Sequence, residues 1–175
     1  LSFSQLNLTD NVFLTKHVVP WFSFIVVKPY GAGHYVNQVV VQGNLFRTIG
    51  GSIDRVERVD TSFADLNHDR AVNVTFSDNM FKLIEHGTYN PLLVNHVEAT
   101  EAQTWTVDCA PNLPFGGWAR NVESVQPIGP IRTAANVTRH DQPYVNLKIG
   151  ANNDQVEVVW EQAVRGEVAV KVRMD

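Results

Sequence analysis

Valine and asparagine set the tightest limit on what this chain can become: 27 of its 175 residues are Val and 15 are Asn, against 11 Leu and 5 Lys. The branched β-carbon of Val suits a pleated surface better than a helix. Asn closes turns and tolerates left-handed backbone. The mixture describes strands joined by turns. Hydrophobic residues make up 44% and charged residues 18% of the chain, which excludes an intrinsically disordered polymer. A formal net charge of -4 provides no basic field for nucleic acid, so direct nucleic-acid binding is not expected. The single cysteine, Cys109, excludes an intrachain disulfide framework. The most apolar stretch, Val18 to Val27, is broken by Pro20 and Ser23 and falls short of the roughly 18 apolar residues of a membrane span.

Strands are expected at Trp21 to Val27, at Tyr35 to Ile49 with a bend at Gly43, and at Ala71 to Phe76. Further strands are expected at Leu92 to Val97 and Gln103 to Cys109. At the end of the chain, Tyr144 to Ile149, Val156 to Val164 and Val168 to Met174 read as strands separated by turn residues. One or two short helices are expected. Ile53, Val56 and Val59 recur at helical spacing, and Ser77 to His86 carries cap residues, apolar Met80, Phe81 and Ile84, and Gly87 as a stop. No internal repeat is evident. The expected fold is therefore all-β: a single antiparallel β-sandwich domain over residues 1–175, in the form of a jelly roll of eight or nine strands with one or two short helices, or else a closed barrel. The start of the chain alternates partly from Leu1 to Leu8 and reads as a bulged strand or as an N-terminal arm over residues 1–16, and residues 110–130 are expected as a long Pro/Gly-rich loop with extended pieces.

Reactive chemistry finds little support in the pattern. The six histidines, at 17, 34, 68, 86, 96 and 140, form neither His-x-His nor His-Glu-x-x-His spacings, so no metal site and no cofactor are expected. Asp65, Asn67 and Asp69 begin like a calcium loop, but Arg70 and Phe76 stand where Gly and Glu are required. Glu98 with Glu101, or Asp54 with Glu57, are pairs of carboxylates of the kind acid–base catalysis uses, although sequence does not give their separation. Cys109, at a strand end, reads as a buried structural thiol. No catalytic residues are assigned and the chain is not expected to be an enzyme.

In size and texture the chain resembles a small viral jelly-roll subunit, a likeness of style resting on no specific motif. It implies a non-enzymatic structural protein, a virus or phage capsid or spike subunit that self-associates in the virion. The partners implied are copies of itself and other virion proteins. Leu1, Phe3, Phe115 and Trp118 are the residues expected to glue neighbours together. The alternative is a secreted or extracellular carbohydrate-binding module, with Trp118 as a stacking platform and Arg120 and Asn121 as hydrogen-bonding neighbours for a glycan.

Overall fold

The computed structural model describes residues 2–175, and nearly all regular structure in it is β. Only two single-turn 3-10 helices interrupt the strands, at His68–Arg70 and Pro114–Gly116. The chain forms two compact units: Leu1–Pro91 with Pro111–Gly117 and Met174–Asp175, and Leu92–Ala110 with Trp118–Arg173.

The first unit is a parallel β-solenoid. β1 (Ser2–Thr9), β4 (Tyr35–Gln42) and β7 (Val72–Ser77) pair in parallel as one wall. A second wall contains β2 (Val12–Lys16), β5 (Leu45–Ile49) and β8 (Met80–Lys82), and a third contains β3 (Ile25–Val27) and β6 (Glu57–Val59). The first two coils visit the three walls in the same order, and the third repeats the first two walls. Val12, Leu45 and Met80 are register partners, separated by 33 and then 35 residues. The same offsets link Asp10, Gly43 and Asp78, all at positive φ, and each is followed by Asn.

That recurrence is an internal repeat that the sequence reading did not find. Leu6-Asn-Leu-Thr-Asp-Asn-Val-Phe13 lies on Val39-Val-Val-Gln-Gly-Asn-Leu-Phe46, which lies on Val74-Thr-Phe-Ser-Asp-Asn-Met-Phe81. A left-handed residue followed by Asn turns the chain from the first wall to the second. The Asn side chain then satisfies backbone groups that the bend removes from the sheet. Asn44 Oδ1 accepts the Asn11 N–H at 2.9 Å, and its Nδ2 donates to Leu8 O at 2.8 Å. One coil on, Asn79 Oδ1 accepts the Asn44 N–H at 3.0 Å and its Nδ2 donates to Val41 O at 2.8 Å. Beside this ladder the rings of Phe13, Phe46 and Phe81 stack, with centroids 4.8 and 6.1 Å apart.

Two expectations are corrected here and one alternative is decided. Pairing in this unit is parallel, so its strands do not build an antiparallel jelly roll; alternation within a strand says which face is buried but not which strand lies alongside. Of the two alternatives for the start of the chain, residues 2–16 follow the strand and not the arm, because β1 and β2 form the first coil. Neither expected helix is present. Ile53 and Ile84 form a parallel bridge, and the left-handed bend at Asp78 resets the alternation so that Met80, Phe81 and Ile84 imitate helical spacing.

The second unit is antiparallel, as expected. β14 (Gln155–Arg173) is its spine and pairs with β9 (Leu92–Asp108) along most of its length. β10 (Asn121–Pro127) and β13 (Tyr144–Ile149) also pair with it, and β11 (Ile131–Arg132) touches it at Arg165 and continues to β12 (Thr138–Arg139). Arg165-Gly-Glu167 was read as a hairpin turn but is a bulge inside β14. Gly166 suits the bulge because its φ of 152° is a backbone conformation that L side chains rarely adopt. β10 likewise occupies part of the expected 110–130 loop. Trp105, Val107, Val156, Val158, Trp160, Val168, Val170 and Val172 fill the core.

Candidate functional site

The third wall of the solenoid concentrates unusual side chains on its outer surface. Parallel register places Val26 beside Arg58 and Val27 beside Val59. Because successive strand residues face opposite ways, Val27 turns inward and Val26 and Arg58 turn out. The Arg58 guanidinium lies 5.7 Å from the centre of the Trp21 ring, which is 68% exposed. Where the wall ends, Tyr30 and Phe63 meet at 5.2 Å, and Lys28 Nζ sits 4.9 Å from the Phe63 centroid and 5.9 Å from that of Tyr30. Lys28 also pairs with Asp60 at 3.0 Å. Hydrogen bonds from Lys28 and Ser62 hold the Asp60 carboxyl down at about 2. This strip combines flat apolar faces with fixed cations, an arrangement suited to stacking and charge-assisted hydrogen bonding.

Where the chain enters this wall, the second and third coils bring Asp54, Glu85 and His86 together, one ligand atom of each within 4.8 Å of the others. His86 Nδ1 and Asp54 Oδ1 are 2.8 Å apart, and Ser52 Oγ donates to Glu85 Oε1 at 2.7 Å. Two carboxylates and an imidazole are groups that could hold a divalent cation. The sequence reading named Asp54 and His86 separately and passed over Glu85. Only the offset between the second and third coils, 31 residues at the Ile53–Ile84 bridge, would have shown that they are neighbours.

Glu57 belongs to β6 but turns inward, and it is completely buried. Its Oε2 accepts the Phe115 N–H at 2.7 Å and its Oε1 accepts the Thr88 hydroxyl at 3.0 Å. Burial pushes its carboxyl up to about 7, against the opposing pull of Arg55 and these two hydrogen bonds. Arg55 lies 3.7 Å from the carboxylate and also donates to Pro111 O. Glu57 thereby fastens the 111–117 segment, in which Phe115 adopts a left-handed backbone (φ 58°) unusual for a bulky residue. Asp54 and Glu57 therefore do not act as a pair across a groove: one is exposed, the other interior.

The remaining candidates are dispersed. Phe115 is buried edge-on against Phe76, with centroids 5.7 Å apart, so its apolar surface serves its own unit and not a neighbour. Phe3 is half-buried, its ring 5.9 Å from that of His34. Leu1 lies outside the described residues. Trp118 and Arg120 are half-buried and Asn121 is exposed, with Lys148 Nζ 5.9 Å from the Trp118 ring. Glu98 pairs with His96 at 3.4 Å and Glu101 with Arg165 at 3.6 Å, so these two carboxylates have separate partners. Burial, with Asp108 and Asp154 nearby, pushes the Cys109 thiol up to about 12, which keeps it protonated at neutral pH.

Fold and surface together define a three-coil parallel β-solenoid joined to an antiparallel sheet, with an aromatic and cationic strip on one solenoid wall. Compared with known proteins, the chain matches no family model, no curated sequence and no solved structure. No helix among the described residues is long and apolar enough to cross a membrane.

Proposed function

We propose that this chain is a non-enzymatic structural protein, a self-associating β-solenoid module of a virus or phage spike or capsid. The observation that carries the reading is the outer face of the second wall. Val12, Leu45 and Met80 form one row across the three coils, with Leu14 beside it. Val12 is 72%, Leu14 58% and Met80 62% exposed. A contiguous apolar row on a regular, flat wall favours contact with a second copy over contact with water. Light scattering after size exclusion tests this. A discrete oligomer is expected, and the double variant Leu14→Lys with Met80→Lys should reduce it to monomer without changing the circular dichroism. A monomer at every concentration would refute the reading.

A second reading, glycan binding, is favoured by the third-wall strip. Trp21 with Arg58, and Tyr30 and Phe63 with Lys28, offer two aromatic stations of the kind that stack on sugar rings. The site is then Trp21 and its neighbours, in place of the Trp118, Arg120 and Asn121 set. Titration with a panel of acidic and neutral oligosaccharides should shift tryptophan fluorescence in the parent and not in Trp21→Ala. Identical responses from both proteins would remove this strip as the site.

A further inference from the structure

The three solenoid walls are unfinished at the same end. β1, β2 and β3, the strands of the first coil, are each the outermost strand of their sheet, so each carries an edge of backbone donors and acceptors with no strand beside it. The interior is open there too: a cavity of about 570 Å³ is lined by Leu6, Leu8, Phe13, Phe24, Ile25 and Val27 among others. Leu6, Leu8 and Phe13 are only half-buried, whereas their register partners Val39, Val41 and Phe46 are buried.

At the opposite end of the first wall, β7 is bonded by the unit's own chain. The Val74 N–H donates to the Asp175 carboxylate at 2.9 Å, and Phe76 and Asn90 exchange backbone hydrogen bonds at 3.1 and 3.0 Å.

The asparagine ladder says what fits the open end. Asn44 and Asn79 each direct the amide back to the preceding coil, accepting its bend N–H and donating to one of its carbonyls. Asn11 holds the equivalent place in the first coil. Among the described residues nothing donates to its Oδ1, while its Nδ2 donates to Thr9 O of its own coil at 2.9 Å and to Asn44 Oδ1 of the next coil at 3.2 Å. We infer that this end is a docking surface for one further coil of parallel β-structure. The occupant is an extended polypeptide segment that pairs in parallel with Ser2–Thr9 and Val12–Lys16. It bends at a left-handed residue, gives its bend N–H to Asn11 Oδ1, and lays apolar side chains over Leu6, Leu8 and Phe13. A helix fits poorly, since its backbone donors are used internally. A second copy meeting this end with its own identical end would pair β1 antiparallel about a two-fold axis, and would place no bend N–H at Asn11. Head-to-tail stacking of a second copy would have to displace the chain that is bonded to β7 at the far end.

The test supplies such a coil. The chain is extended ahead of Leu1 by a duplicate of residues 35–67, and a control carries the same residues in scrambled order. Residue-resolved hydrogen exchange should show β1 amides at least tenfold slower in the duplicated protein than in the control, and an apolar reporter dye should lose fluorescence. Asn11→Ala should give back part of that protection in the duplicated protein and leave the control unchanged. Equal exchange of β1 in duplicated and scrambled proteins would overturn the inference. So would a dimer of the unextended chain in which β1 protection rises with concentration, because a second copy would then be the occupant.

Discussion

The two units solve the same problem, burial of a Val-rich β surface, with opposite interiors. Every buried polar residue among those described, namely Asn44, Thr48, Glu57, Asn79, Thr88 and Asn90, belongs to the solenoid unit. The antiparallel unit buries Trp, Val, Leu, Ile, Ala and Cys. Chain path explains the contrast. A solenoid coil turns after every few residues, and each turn leaves backbone groups inside that no neighbouring strand can reach, so side-chain amides and hydroxyls must serve them. β9 and β14, 17 and 19 residues long, satisfy their backbones by pairing along their length, which leaves the side chains free to be apolar. One interior is held by geometry-specific hydrogen bonds and the other by volume.

The sharpest challenge to this contrast is Trp105→Ala in the antiparallel unit. Trp105 is fully buried, lies 5.2 Å from Trp160, and donates through Nε1 to Ala102 O and Val164 O. Removing it should lower unfolding free energy by about 4 kcal/mol, measured by denaturant titration. In the solenoid the matching change is Asn44→Ala, which leaves the Asn11 N–H and Leu8 carbonyl unmatched and breaks the amide link to Asn79. A loss of about 3 kcal/mol is expected although little apolar area is removed. If Asn44→Ala costs no more than an ordinary surface substitution, the ladder is not what holds the coils.

Glu57 gives the contrast a pH dependence. Its folded pKa, about 7, stands above the ordinary carboxylate value of 4.5, so the native state binds the proton more tightly than the unfolded chain. Stability from this group is complete below about pH 4.5 and is lost as pH rises towards 7. The change is on the order of 3 kcal/mol by linkage. Glu57→Gln should flatten the stability profile across that window, and an unchanged slope would show that another group titrates there. Smallest of all is Asn11→Ala. The residue is exposed, at the end of the ladder, and its side chain makes one local hydrogen bond and a longer one of 3.2 Å to Asn44 Oδ1, so a loss of about 1 kcal/mol or less is expected. A loss matching that of Asn44 would mean that the first coil is already completed by some contact.

Strand content was legible because Val39-Val-Val41 and Tyr144 to Ile149 carry strand residues in runs of strand length. Antiparallel pairing of β13 with β14 was legible too, since Gly150-Ala-Asn-Asn-Asp154 can only be a tight connection. The solenoid was not. Its repeat is compact, about eight residues around Asn11, Asn44 and Asn79, and the long connections between copies differ in length and share no pattern. Turn-forming Asn looks the same in sequence whether it faces water or, like Asn44 and Asn79, is buried. The Trp21–Arg58 and Asp54–Glu85–His86 groupings were hidden for the same reason, since each joins residues about one coil apart.

The coil register itself can be measured directly. Leu14 and Arg47 are parallel partners in adjacent coils, and paired strands lie about 4.8 Å apart, a spacing a disulfide can bridge. Lys82 lies one coil beyond Arg47. Under mild oxidation the double variant Leu14→Cys with Arg47→Cys should cross-link within the folded protein, while Leu14→Cys with Lys82→Cys should stay reduced. Cross-linking of the second pair as readily as the first, or of neither, would contradict the stacked coils on which the proposed function rests.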